Sequence, residues 1–199
     1  MKSETNSTPN SALPKKTWRR LKSLKSSDIV IGIPSYNCAH TINYVIYQTA
    51  SDINYIIPDG TFVNPGGYII IARDSNKESF EIFWGINLSS DVIFINGDNN
   101  FPSINGDETF ELQDNNSNVL DGPTGLPMDS YNTVQRLHST YDPTLPESWS
   151  ISSDIYATPG SGAFGDETAG LIINEYSDAS GTGNWRYEFI ELYYDAPVI

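Results

Sequence analysis

Two kinds of apolar pattern alternate along this chain. One is the short unbroken run: "DIVIGIP" over residues 28–34, "YIIIA" over 68–72 and "DVIFING" over 91–97. Runs of this length, rich in Ile and Val and closed by Gly or Pro, predict strands, and "YIIIA" reads as one buried on both faces. The other is strict alternation. "ETFELQD" places Phe110 and Leu112 on one face, and "TVQRLH" alternates over 133–138. Turn residues separate these runs: Pro58-Asp59-Gly60, Pro65-Gly66-Gly67 and the "NNSN" at 115–118. Near the C-terminus "GLIINEYSD" and "YEFIELYYD" flank "ASGTGN", the pattern of a hairpin. "TINYVIYQTA", 41–50, fits either period: Ile42, Tyr44 and Ile46 alternate, while Ile42, Val45 and Ile46 share a helix face. Its β-branched and aromatic content tilts it toward strand. Only "SNKESFEIFWG", 75–85, predicts a helical turn, with Ser75 as its cap. Many short strands at regular spacing predict an all-β sandwich or barrel.

Charge divides the chain. Residues 1–26 hold seven of the eleven cations and a single acid, a net +6, so of the −14 total the remainder carries −20. Such a body repels nucleic acid and anionic membranes and attracts divalent cations. Residues 1–27 read as a basic, disordered leader; Leu13, Trp18, Leu21 and Leu24 approach helical spacing, the alternative being a short basic amphipathic helix. No apolar run is long enough to span a membrane, and no secretion signal is visible. Cys38 stands alone, which rules out an internal disulfide.

The series "IPDGTFVNPGGYIIIARD", "GDETFELQDNNSNVLDG", "TVQRL" and "WSISSDIYATPGSGA" resembles the lamin-tail domain, in that family's order and spacing over residues 51–162. The resemblance implies an immunoglobulin-like antiparallel β-sandwich used as a non-catalytic module for binding, adhesion or surface display. It also implies an extracellular or cell-envelope location. The family's opening hairpin, of the form "INE…EFIEL", is displaced here to 171–199, behind a stretch of linker composition that ends with residues 163–170. Its usual place holds residues 28–50, whose "DIVIGIPSYN" and "TINYVIYQ" resemble the first strand and helix of family 2 glycosyltransferases. That likeness implies a sugar-nucleotide turn at Pro34, Ser35, Tyr36 and Asn37. The chemistry needs an Asp-x-Asp pair to hold a metal on the diphosphate, and no two of the chain's aspartates stand two positions apart. The expectation is therefore no transferase activity, with a transferase fragment or derivative as the alternative.

A sandwich without its first strands leaves edges unpaired. The displaced hairpin can complete the same sandwich in cis, as in a circular permutation. It can instead begin a second domain, or complete a neighbouring molecule, giving self-association through 171–199 and a structural unit built by strand donation. The 28–50 segment can also serve as a substitute strand pair.

No catalytic set is apparent. His40 and His138 lie far apart and outside metal-ligand spacing; Cys38 and His40 lack an orienting partner. The oxygen-rich loop "NGDNNFPSINGDE" makes Asp98, Asp107 and Glu108 candidate ligands for Ca²⁺, though Asx turns explain the same residues without an ion. Trp84, Trp149 and Trp185 are candidate sugar-stacking platforms or core residues. Asn6, Asn87 and Asn115 stand in glycosylation triplets. The implied partner is a protein or a carbohydrate.

Overall fold

The structure, a computed structural model, describes residues 40–42, 44–48, 53–126, 129–162 and 165–197. All belong to the second of two units into which the chain divides, Tyr36–Ile199. The basic leader, Trp18, the Pro34–Asn37 turn and Cys38 lie outside the described residues.

The run "DIVIGIP" lies outside the described residues; the described residues form the strands β1 (His40–Ile42), β2 (Tyr44–Gln48), β3 (Ile53–Ile56), β4 (Thr61–Val63), β5 (Tyr68–Ala72), β6 (Ile93–Asn96), β7 (Phe110–Asp114), β8 (Val119–Asp121), β9 (Asn132–Arg136), β10 (Trp149–Ser153), β11 (Gly170–Ser177) and β12 (Phe189–Asp195). They form a six-stranded sheet in the order β10-β9-β11-β12-β5-β6, a four-stranded sheet in the order β3-β2-β7-β8, and a short β1-β4 pair. The fold is an all-β sandwich. Among the described strands every pair is antiparallel except β5 with β6. A parallel pair needs a long crossover, and residues 73–92 supply one.

That crossover contains the helix α1 (Lys77–Trp84). Its cap is Asn76, not the expected Ser75: Asn76 Oδ1 accepts the Ser79 N–H at 2.9 Å, while Ser75 is buried beside it. Asn caps as well as Ser, and the register places its amide where the free N–H groups point.

Two segments, Tyr44–Gln48 and the β11–β12 hairpin, complete the sandwich. Tyr44–Gln48 pairs with β3 on one side and β7 on the other, so this part of the ambiguous 41–50 segment is a strand. The hairpin of β11 and β12 enters the six-stranded sheet in cis: β11 pairs with β9 and β12 with β5. Neither of its strands is an edge.

The two sheets close on one apolar core. Ile46, Phe110 and Leu112 face Ile69, Ile71, Val134, Tyr176, Ile190 and Leu192, all buried. β5 explains its own unbroken apolar run: Ile69 and Ile71 point to this core, and Ile70 and Ala72 to a second cluster on the outer face. There Phe80 of α1 meets Phe189 and Phe94 edge-on, with ring centroids 5.6 and 5.1 Å apart. One ion pair is buried within the sandwich. Arg136 on β9 reaches Asp121 on β8 at 3.0 Å, lies 5.0 Å from the Trp149 ring, and donates to the Ser139 and Tyr141 carbonyls. Asp121 also accepts the Ile173 N–H, so one bridge ties both sheets together.

Candidate functional site

β11 and β12 are joined by a loop rich in Gly and Ser, and their facing ends carry Asp178 and Glu188. With Asn105, Tyr131, Gly183 and Trp185 these line a cleft of about 190 Å³. The 3-10 turn Asn184–Tyr187 positions Trp185, following Gly183, whose φ of 83° suits glycine. Asp178 Oδ2 accepts the Tyr131 N–H at 2.8 Å, which fixes the opposite wall. Tyr131 is more than half exposed and Trp185 about one third, so both rings are within reach of a ligand.

Two cations converge on this cleft. Arg73 donates to Glu188 Oε2 at 2.9 Å and places its guanidinium carbon 4.9 Å from the Trp185 ring centroid. Arg186 approaches the same ring at 5.7 Å. Beyond residue 26 the chain has only Arg73, Lys77, Arg136 and Arg186 as cations. Half of them stand at this one tryptophan.

The carboxylates respond to their surroundings. Burial pushes Glu188 up to about 7, against the pull of the Ile104 N–H and of Arg73. Asp178 is also raised, by burial and by the charges of Glu108 and Asp154, with the Tyr131 N–H opposing. A carboxyl that changes charge near neutrality beside an arginine can donate or accept a hydrogen bond from a ligand hydroxyl.

Compared with family models, with curated proteins and with solved structures, the chain matches none.

The residues proposed from sequence are placed as follows. Glu108 is buried, and its carboxylate accepts the N–H groups of Asn105, Gly106 and Asp107 at 2.8–3.1 Å. It closes the 105–108 turn on itself. Asp98 opens a separate 3-10 turn with its own N–H bound to Asn96 Oδ1. Among the described residues no three or more His, Cys, Asp or Glu side chains are grouped to hold a metal ion. Asp98, Asp107 and Glu108 are thus not grouped as ligands among the described residues. Trp149 is a core residue, its Nε1 donating to the Pro143 carbonyl at 2.8 Å. Trp84 packs on Phe189 and donates to the Tyr187 carbonyl. Trp185 lines the cleft described above. His138 is half-buried and bonds to Thr140, and Asn87 and Asn115 are exposed. Among the described residues no helix is long and apolar enough to cross a membrane.

Sequence reasoning missed Arg73, Asp178 and Glu188. It also missed a buried carboxyl pair, Glu175 with Glu191, directly opposite each other on β11 and β12. Neither exposes any surface. Burial raises both, and the charge of Glu175 raises Glu191 further. The signal available was an acid inside an otherwise apolar strand, in "LIINEYS" and again in "FIELYY".

Proposed function

We propose that this chain is a non-catalytic binding module of the lamin-tail kind, displayed at a cell envelope, whose end cleft takes a neutral saccharide. The observation that carries the reading is the convergence of Arg73 and Arg186 on a part-exposed Trp185 in an otherwise strongly acidic body. The two guanidiniums offset the cleft carboxyls Asp178 and Glu188, so the lining carries little net charge. This leaves two aromatic rings for the C–H faces of a sugar, and carboxylate, amide and guanidinium groups for its hydroxyls. A cleft of about 190 Å³ suits one or two sugar rings rather than a folded partner. The net negative charge of the remaining surface disfavours acidic glycans.

Support for the lamin-tail reading is the placement of the "INE…EFIEL" hairpin beside the "PGGY" strand, β12 against β5, despite their order in sequence. A permuted arrangement requires that neighbourhood.

The test is an array of neutral glycans probed with the full chain, followed by calorimetry on any ligand found. At least one neutral glycan is expected to bind, with affinity falling about tenfold or more in Trp185→Ala, the loss of roughly 1.4 kcal/mol of contact. Absence of binding across the array, or binding indifferent to both Trp185→Ala and Tyr131→Ala, rejects the reading.

A further inference from the structure

A second feature lies on the outer face of the six-stranded sheet, and none of its residues lines the cleft. One rung of the sheet carries Gln135, Glu175, Glu191 and Ile70 in register on β9, β11, β12 and β5. A turn at 157–161 lies over the first three. The Thr158 N–H donates to both oxygens of Glu175, at 3.0 and 3.2 Å, and the Thr158 hydroxyl donates to Oε2 at 3.2 Å. Gln135 Nε2 donates to that same hydroxyl oxygen, and the Gln135 side chain also bonds to Glu175. Thr133 holds Glu175 Oε1 at 2.7 Å. Glu191 accepts from Asn174 Nδ2 at 2.7 Å and from the Gly160 N–H. Gly160 has φ of 83°, and a Cβ there would stand 2.8 Å from Leu88 Cδ2, so the turn fits as glycine.

Three groups therefore touch: a hydroxyl, a primary carboxamide, and a carboxylate bonded to both. We propose that Thr158 and Gln135 condense to an intramolecular ester, with Glu175 as the catalytic base. Thr158 Oγ1 attacks Gln135 Cδ while its proton passes to Glu175. The tetrahedral adduct then collapses, the C–N bond breaks, and Glu175 returns the proton to the departing nitrogen. One hydroxyl and one carboxamide become one ester and one ammonia, with no change of oxidation state.

Amides resist hydroxyls in water, but positioning inside a fold reaches effective concentrations on the order of 10⁵ M or more. The carboxyl pair supplies the base. Two fully buried, facing carboxyls hold one proton between them. With that proton on Glu191, burial leaves Glu175 a stronger base than an ordinary carboxylate. Glu191 is a positioning residue: it acts on the reaction through Glu175.

Mass spectrometry of the denatured full chain tests this. The expected mass is one ammonia below that of the sequence. Digestion should give a branched peptide joining residues 135 and 158, which hydroxylamine separates. Thr158→Ala and Glu175→Gln should keep the full mass, and Thr158→Ser should still lose ammonia. In chain refolded from denaturant, Glu191→Gln should remove the alkaline limb of the pH profile of ammonia loss, because the group facing Glu175 no longer has a proton to lose. A full sequence mass in folded, aged wild-type chain, with linear peptides only, overturns the proposal. That measurement needs no variant to fold, and its outcome leaves the saccharide reading untouched.

Discussion

On the outer face of the six-stranded sheet, Ile70, Ala72 and Phe189 lie under α1, while Gln135, Glu175 and Glu191 lie under the 157–161 turn. The two halves adjoin: Glu191 stands directly opposite Ile70 on the neighbouring strand. Under the helix, rings meet edge-on and attraction is non-directional, so the half contributes by area removed from water. Under the turn, each carboxyl oxygen needs a donor in place, and the desolvation of two acids offsets most of what those bonds contribute. The apolar half holds the sheet to its cover. The polar half specifies which segment of chain may cover it.

The comparison breaks first on the apolar side. Phe80 touches Trp84, Phe94 and Phe189 and exposes nothing. Phe80→Ala should cost about 3–5 kcal/mol by urea denaturation, because the surrounding rings cannot collapse to fill the space. A loss under 1 kcal/mol would mean that α1 is not held by this cluster.

On the polar side the expected effect is a dependence on pH. Glu175 and Glu191 are raised in the fold above their ordinary carboxylate value. The folded state thus keeps protons that the unfolded chain has already released. Stability contributed this way is fully present below the unfolded value, near 4.5, and is lost as pH rises toward the raised folded values. Each retained proton gives a slope of about 1.4 kcal/mol per pH unit. Thermal melts should therefore fall from pH 5 to pH 8. Glu191→Gln should flatten the curve, since a permanently neutral group has no proton to lose. A melt that rises with pH over this range contradicts the buried pair.

Glu188 gives a smaller version of the same test. Burial lifts it to about 7, and Arg73 only partly restrains it. Its contribution to stability is present below about 4.5 and fades as pH rises through about 7. Glu188→Gln should remove a modest part of the slope in that window and leave the slope above it to the Glu175–Glu191 pair. If both variants flatten the same window equally, the two acidic sites are not independent.

The halves also differ in how far the sequence announces them. "YIIIA" and "FELQ" state their burial locally: neighbours two residues apart share a face, and β5, Phe110 and Leu112 lie where the pattern puts them. Glu175 and Glu191 obey the same alternation, and an acid at an outward position reads as solvated. What buries them is a turn 17 to 31 positions away, with the composition of a linker. Residues 165–169 of that stretch are likewise docked: three backbone N–H groups and the Ser139 hydroxyl converge on Asp195. A Cβ on Gly165 would stand 2.1 Å from Asp195 Oδ1. Backbone donors leave no trace in residue type, which is why these anchors were illegible. The cleft was legible in one residue, Trp185, because a loop tryptophan is visible in one dimension. Arg73 and Glu188, 115 positions apart, meet only through the β5–β12 pairing.

The smallest expected effect tests whether α1 is covered on its far side. Ile82 is 74% exposed on the helix whose buried residue is Phe80. Ser there removes an apolar side chain from water and buries nothing, so in an isolated domain Ile82→Ser should shift stability by no more than about 0.5 kcal/mol. Helix propensity alone favours Ile over Ser only slightly, so the substitution reports on contact rather than on helix formation. A loss several times larger, approaching that of Phe80→Ala, would require Ile82 to be packed against something. The outer face would then have a further layer, and α1 would be a middle element rather than the lid.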